Sequence, residues 1–528
     1  MKIDLKNLPS GDEFTHKIII DLVATLISER EKLALNEAEL ALLKAKLFGK
    51  SSEKIKKQVE KLEQQIEESE TVLAEDLPVP NESVDADESA SDEVAPGAAK
   101  EAKQKQKPKR GKLPEHLPRT DVILNPDHKC PECGGEEFRK ISDDISETLE
   151  YIPASFKVIR HIRPRCACIA CETIVQAYPK SGGIDKGMAG PGLLAHILVQ
   201  KYCNHLPFYR QSEIYAREDI DLSRSTMASW AGQCSSLLKP LIAELKRTIF
   251  AASHLHADDT PIRVLAPGSG KTKTGRIWVY VMDGRPHGDA TPPAVCYFYS
   301  PDRKGERPFD HLQNFTGVLH ADAYSGYDKI YQQKNENNEE KITEAACWAH
   351  TRRKFYEITV NNENANIALM VLDQIGKIYE IEAEIKGLEP DKRKEQRQKG
   401  SRELVEKLFT DWKKVYQDLP KKSPTAQAIS YALNNEIALK KFLEDGKVEI
   451  DNNAAERAMR SIALGRKNWL FAGSDRGGET AADIYSLIET TKMNDINPWR
   501  YLQHVLSVIQ DYNSSKIAEL LPWNVKFE

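Results

Sequence analysis

Two copies of one tetrapeptide, Leu255-His256-Ala257-Asp258 and Leu319-His320-Ala321-Asp322, each close an apolar run. A third acid, Glu456, stands far downstream in Asn452-Asn453-Ala454-Ala455-Glu456-Arg457. Carboxylate oxygens suit hard cations such as Mg²⁺, which keep open positions for phosphate oxygens. Two such cations clamp the attacking and leaving oxygens of a phosphoryl transfer. These residues therefore point to phosphodiester chemistry, with Asp258, Asp322 and Glu456 holding two Mg²⁺. Each acid alone also has a plain structural reading. An Asp after a strand caps turns and helices, and Asn453 with Glu456 three residues on fits a capping box. The repeat favours chemistry, because one strand-end pattern occurs twice. It also ranks Asp258 above Asp259, which has no counterpart in the second copy.

A second metal is implied by cysteine spacing. Cys130-Pro131-Glu132-Cys133-Gly134-Gly135 and Cys168-Ile169-Ala170-Cys171 are two Cys-x-x-Cys pairs among nine cysteines. In a chain expected in the cytoplasm that pattern suggests metal rather than disulfides. Four thiolates on two knuckles bind one structural Zn²⁺, and such a site contributes folding energy. Cys166 competes as a ligand. Residues 148–165 alternate like strands, so a zinc ribbon is expected over 120–180. Lys157, Arg160, His161, Arg163 and Arg165 would give it a basic strand for DNA backbone contact.

The elements that must position the acids follow from hydrophobic period and turn signals. Residues 254–265, 276–283 and 294–300 are rich in β-branched and aromatic types, with Pro267-Gly268-Ser269-Gly270 and Asp283-Gly284-Arg285-Pro286 between them. That suits an antiparallel meander. A helical crossover over 301–315 and strands at 317–322 and 343–350 complete five strands. This is the element order of a ribonuclease H-like domain, in which the first and fourth strands are neighbours and bring Asp258 beside Asp322. His350 would close the fifth strand, either ordering the site or capping the next helix.

The expected fold is multidomain α+β. Residues 1–75 read as a helical arm, either a coiled coil or an amphipathic helix packed on its own domain. Residues 76–119 form an acidic then basic linker, expected to be disordered. Residues 181–250 are helical. In them 209–218 and the capped start Asp221-Leu222-Ser223-Arg224-Ser225 give a helix-turn-helix layout, its second helix short, with Arg224 and Ser225 able to face a major groove. The catalytic core would span 251–360 and 448–490, interrupted by a helical insertion at 361–447, and 491–528 form a helical tail. Net charge is −5, so DNA contact must come from local patches. No apolar run reaches membrane-span length, and no secretory signal is evident; a cytoplasmic protein is expected.

The chain resembles the large transposases of the insertion-sequence sixty-six family (TnpC type) along almost its whole length. The resemblance rests on Leu47-Phe48-Gly49-Lys50-Ser51-Ser52-Glu53-Lys54, the cysteine pairs, Pro301-Asp302-Arg303-Lys304-Gly305, Ala321-Asp322-Ala323-Tyr324-Ser325-Gly326-Tyr327 and Cys347-Trp348-Ala349-His350. Most specific is Asn452 to Arg457 continued through Leu464-Gly465-Arg466-Lys467-Asn468-Trp469-Leu470-Phe471-Ala472-Gly473-Ser474. It implies a DDE transposase with its triad at Asp258, Asp322 and Glu456. It implies double-stranded DNA partners, the terminal inverted repeats and a target, beside small accessory proteins of the same element. Asp259 stands where the resemblance leads one to expect Glu. Cutting and joining two ends implies a homo-oligomer. Arg457, Arg460, Arg466 and Lys467 would hold DNA phosphates, although Arg460, four residues on, can pair with Glu456 instead. Two rivals remain: a non-catalytic zinc-ribbon and helix-turn-helix DNA binder, and a ribonuclease H-like nuclease without strand transfer.

Overall fold

In the computed structural model, the described residues are 155–167, 169, 174–176, 184, 188–266, 271–322, 324–335, 338, 340–361 and 366–527. They belong to two compact units, one within Asp85–Pro179 and one within Lys180–Glu528. The arm, the linker and all four cysteines of the two pairs lie outside the described residues.

The smaller unit shows a two-stranded antiparallel ladder, β1 (Arg165–Ala167) with β2 (Ile174–Gln176), in which Cys166 pairs with Val175. Strands were expected over 148–165. The described part of that stretch before Arg165 carries none, and residues 155–164 are exposed. Among the described residues no partner strand takes its backbone groups, and alternation alone does not make a ladder.

The larger unit begins with α1 (Pro191–Tyr202), α2 (Phe208–Ala216) and α3 (Arg224–Phe250). Ser223 caps α3 by accepting a hydrogen bond from Thr226 N at 3.1 Å. The capped start is where the sequence placed it, but the short second helix is corrected. α3 runs 27 residues and buries Met227, Trp230, Cys234, Leu238, Leu241 and Leu245. This apolar stripe keeps it helical past Pro240, as tertiary packing outweighs a single breaker.

The sheet follows: β3 (His254–Ala266), β4 (Lys271–Met282) and β5 (Ala294–Ser300), then α4 (Glu306–His311), β6 (Gly317–Ala321), α5 (Asp328–Tyr331) and β7 (Ile342–Ala346). Strand order is β5-β4-β3-β6-β7, antiparallel through β3 and parallel from β3 to β7. The register sets His256 beside His320 and continues into Asp258 and Asp322. β7 was expected to reach residue 350; it stops at Ala346, because Trp348 already opens α6 (Trp348–Asn361).

Helices α7 (Asn366–Glu384), α8 (Pro390–Gln396), α9 (Arg402–Asp418), α10 (Pro424–Asn434) and α11 (Glu436–Glu444) follow, with a π-helical turn at Arg397–Ser401. Their apolar faces form a second core around Trp348, Phe355, Phe409 and Trp412, which also takes in Ala345 and Ala346 of β7. The chain returns in α12 (Asn453–Asn468), α13 (Asp475–Met493) and α14 (Pro498–Val508).

Both sheet edges are covered. On β5, Thr490 Oγ1 and Ser486 Oγ of α13 accept from Val295 N and Tyr297 N at 3.1 and 2.9 Å, so helix hydroxyls take the place of a missing strand. β7 is backed by α11.

Candidate active site

β3 is longer than its neighbour β6. Beyond His256 its β6-facing edge has no strand partner among the described residues until Arg263 O accepts from Ala472 N and Leu265 N donates to Ala472 O. Asp258 sits in that gap. So does Pro261, which has no N–H to leave unpaired. The gap places Asp258, within β3, and Asp322, just past the end of β6, each two residues beyond the paired His256 and His320.

Asp258 is half-buried, and desolvation by the surrounding protein is the first reason its carboxyl is pushed up to about 8. The next largest is the Asp322 carboxylate; Asp259 and Glu456 add to it, and the Asp259 N–H bond at 2.7 Å partly offsets it. Without a cation this site holds a proton. Asp322 is steered by a turn of its own making, its Oδ1 accepting from Tyr324 N at 3.2 Å.

Asp259 has the opposite surroundings. Adjacent strand residues point to opposite faces, and there Asp259 meets Arg303 at 2.8 Å and Arg276 at 3.2 Å. Burial pushes its carboxyl up, and both arginines draw it back. Arg303 also lies over the Tyr324 ring, 4.0 Å from its centroid.

Glu456 lies on the first turn of α12, exposed. The helix is capped one residue earlier than expected, at Asn452, with no side-chain cap bond. The capping-box reading of Asn453 and Glu456 is therefore replaced. Nor is Glu456 ion-paired with Arg460 among the described residues. The His350 ring lies beside it, Nδ1 to Oε1 at 3.8 Å. His350 sits on the first turn of α6, not on β7. The three acids do not close into a single tight cluster. Asp258 and Asp322 form a pair, and the Glu456 carboxylate turns toward Cys347 and His350.

Sequence reasoning missed the residue that joins these parts. Asn452 is fully buried; its N donates to Cys347 Sγ at 3.2 Å, its Nδ2 to Ala257 O at 2.8 Å, and its Oδ1 meets His256 Nδ1 at 3.0 Å. One residue thus ties the α12 start to β3 through its side chain and to the end of β7 through its backbone. The doubled Asn452-Asn453 before an acid was the available signal. Beneath it the rings of His256 and His320 stack, centroids 5.1 Å apart.

Residues 186–480 match the family described as "Transposase IS66 family". The chain belongs to that family. Residues 127–172 match the zinc-finger binding domain of transposase IS66, 486–523 the IS66 C-terminal element, and 36–122 a segment described as transposase C of IS166 homeodomain. Two proteins of Sinorhizobium fredii are similar throughout and carry the names uncharacterized protein y4hP and y4qI. The first is 40% identical over 80% of this chain and 78% of its own length. The second is 38% identical over 80% and 79%.

A transposase of this family needs DNA contacts, and the named cations are unequal candidates. Arg457, Arg460 and Lys467 of α12 are exposed. Arg466 is partly spent on the fold, its Nη1 donating to Pro261 O at 2.5 Å and covering the open edge of β3. Arg224 and Ser225 open α3 half-buried, Ser225 Oγ lying 2.9 Å from Ser223 Oγ. Lys157, Arg160, His161, Arg163 and Arg165 of the smaller unit are exposed. The zinc-finger match supports Zn²⁺ in that unit; Cys130, Cys133, Cys168 and Cys171 lie outside the described residues. Among the described residues no helix is long and apolar enough to cross a membrane.

Proposed function

We propose that this IS66-family protein is a DDE transposase with a ribonuclease H-like core. In this reading it binds the terminal inverted repeats of its element, cleaves a phosphodiester there and joins the freed 3′-hydroxyl to target DNA. One observation carries this: Asp258 and Asp322 stand on neighbouring parallel strands, each two residues past the paired His256 and His320, and the Asp322 carboxylate helps push the Asp258 carboxyl up. Such a pair fits a cation, and its all-oxygen donor set fits Mg²⁺.

Asp258, Asp322 and Glu456 would hold two Mg²⁺, which when bound supply charge neutralisation for a phosphoryl transfer. The chain's own residues have other tasks. Asp259 N–H and Tyr324 N–H fix one oxygen of each aspartate and leave the remaining lone pairs free. Asn452 sets the height of α12, and with it the reach of Glu456. Arg457, Arg460 and Lys467 offer cations to DNA phosphates along the same helix, with Arg466 contributing what β3 leaves of its donors. Arg224, Ser225 and the basic residues of the smaller unit would grip DNA away from the cut, beside the one structural Zn²⁺ held by Cys130, Cys133, Cys168 and Cys171. Partner chains of the same kind, paired through residues 1–75, would bring two ends together, with accessory proteins of the element alongside.

The test is incubation of the protein with Mg²⁺ and a labelled inverted-repeat duplex. Nicks at the element's end and joined products are expected. Binding without nicking would favour the non-catalytic reading, and nicking without joining the plain nuclease.

A further inference from the structure

Glu456 keeps company that a Mg²⁺ ligand does not need. Cys347 Sγ, a ring nitrogen of His350 and a Glu456 carboxylate oxygen all lie within 4.8 Å of one another, the one such trio of His, Cys, Asp or Glu among the described residues. His350 Nδ1 is buried without a hydrogen-bond partner and is the atom nearest Glu456, at 3.8 Å. Cys347 Sγ is fully buried and accepts from two backbone N–H groups, those of Asn452 and His350. Amide donors converging on one sulfur are the kind of outer support that orients and stabilises a metal-bound ligand.

We propose that Cys347, His350 and Glu456 form a coordination site for a thiophilic divalent cation, Zn²⁺ foremost, beside the Asp258–Asp322 pair and chemically distinct from it. The donor set decides the class. One sulfur, one imidazole nitrogen and one carboxylate oxygen suit Zn²⁺, whereas Mg²⁺ seeks oxygen alone. Ligand atoms around one tetrahedral Zn²⁺ stand roughly 3.5 Å apart, so the trio closes with a small rotation of Glu456, whose side chain is 43% exposed. The solvent side, where Glu456 and the one-third exposed His350 lie, leaves a fourth position open. On binding, the Cys347 proton passes to solvent and the neutral ring coordinates through its free nitrogen. The inference rests on the proposed function in one respect only: there Glu456 belongs to the Mg²⁺ set, so the two sites compete for one carboxylate.

The full chain, given one equivalent of Zn²⁺ to fill the cysteine pairs, is titrated with Co²⁺ and followed by absorption. Co²⁺ binds N and S sites more weakly than Zn²⁺ and leaves that first equivalent in place. Wild type is expected to show a thiolate-to-cobalt charge-transfer band at one added equivalent, lost in Cys347→Ser. His350→Gln should retain the band with cobalt affinity at least about ten-fold weaker. Identical spectra for wild type and a Cys347→Ser chain that is folded by circular dichroism overturn the proposal. Unchanged cobalt affinity in His350→Gln overturns it as well. Nicking by the same preparations in Mg²⁺ alone keeps the two readings apart. A chain that nicks without a Cys347-dependent band refutes this site and spares the active-site reading. A chain that shows the band and never nicks does the reverse.

Discussion

Two clusters of charge in the larger unit are handled in opposite ways. In the helices between α6 and α12, Glu382 is 7% exposed and Arg397 not at all. Arg397 binds Glu382 through two parallel bonds of 2.7 Å and gives a third to Phe442 O. Arg393, 1% exposed, reaches Glu449 and Gly446 O. Each carboxylate there has a guanidinium. On the sheet, Asp258 faces Asp322 and neither makes an ion pair among the described residues; Arg303, bound to Asp259, acts on Asp322 only through space. A compensated buried charge is a structural device, whereas an uncompensated pair costs stability and persists where a ligand completes it. Asp258 and Asp259 repeat this contrast one residue apart, and that separates two acids the sequence could only rank.

The largest effect that tests the contrast is on chemistry. Asp258→Ala or Asp322→Ala should lower nicking at least about a thousand-fold, since a lost ligand empties a cation position. DNA affinity should hold, and the melting temperature should stay level or rise as repulsion is relieved. A large fall in melting temperature on either substitution would mean that these carboxylates stabilise the fold, and the comparison would fail.

Next comes the compensated cluster. Arg397→Met leaves Glu382 only its 3.4 Å bond to Arg393 and should cost about 3 kcal/mol by denaturant unfolding. Glu382→Leu together with Arg397→Met should recover most of that. If the double variant is as unstable as the single, geometry rather than charge matters there.

Asp259→Asn sharpens the local version. Arg276 and Arg303 would lose their shared partner, but both reach solvent, so a cost of about 1–2 kcal/mol is expected. Nicking should fall far less than in Asp258→Ala. A dead Asp259→Asn beside an active Asp258→Ala would show that the reacting carboxylate had been assigned to the wrong neighbour.

How much of this was legible follows from what each element depends on. β3, β5 and β6 lie within a residue or two of their expected bounds, because apolar period and flanking turns are local properties. The repeated Leu-His-Ala-Asp also carried register, since Leu255 and His256 pair with their counterparts Leu319 and His320. β7 was read too long because Trp348 is apolar whether it continues a strand or fills the helical core, and only the Cys347 sulfur accepting from helix N–H groups marks the change. α3 was read too short because polar Ser and Gln interrupt its stripe, and the partner that buries it, α13, lies far away in sequence. Asn452 was illegible for the same reason: its three contacts belong to β3 and the end of β7, which nothing local to Asn452 specifies.

The smallest effect lies where the two regions meet. His254 Nε2 at the start of β3 is 2.9 Å from Asp445 Oδ2, just after α11, so one bond joins sheet to helices. That bond, with the Lys447 N–H, holds the Asp445 carboxyl down at about 2, below its ordinary 3.8. A depressed folded value means that its stabilisation is complete above the unfolded value and disappears as pH falls from about 4 through 2. Asp445 is one-third exposed and solvent screens it, so the contribution should be about 1 kcal/mol or less. Unfolding of wild type and Asp445→Asn should therefore differ by that amount at pH 5 and converge near pH 2. A difference that persists unchanged at pH 2 would assign the loss to packing at the junction rather than to charge.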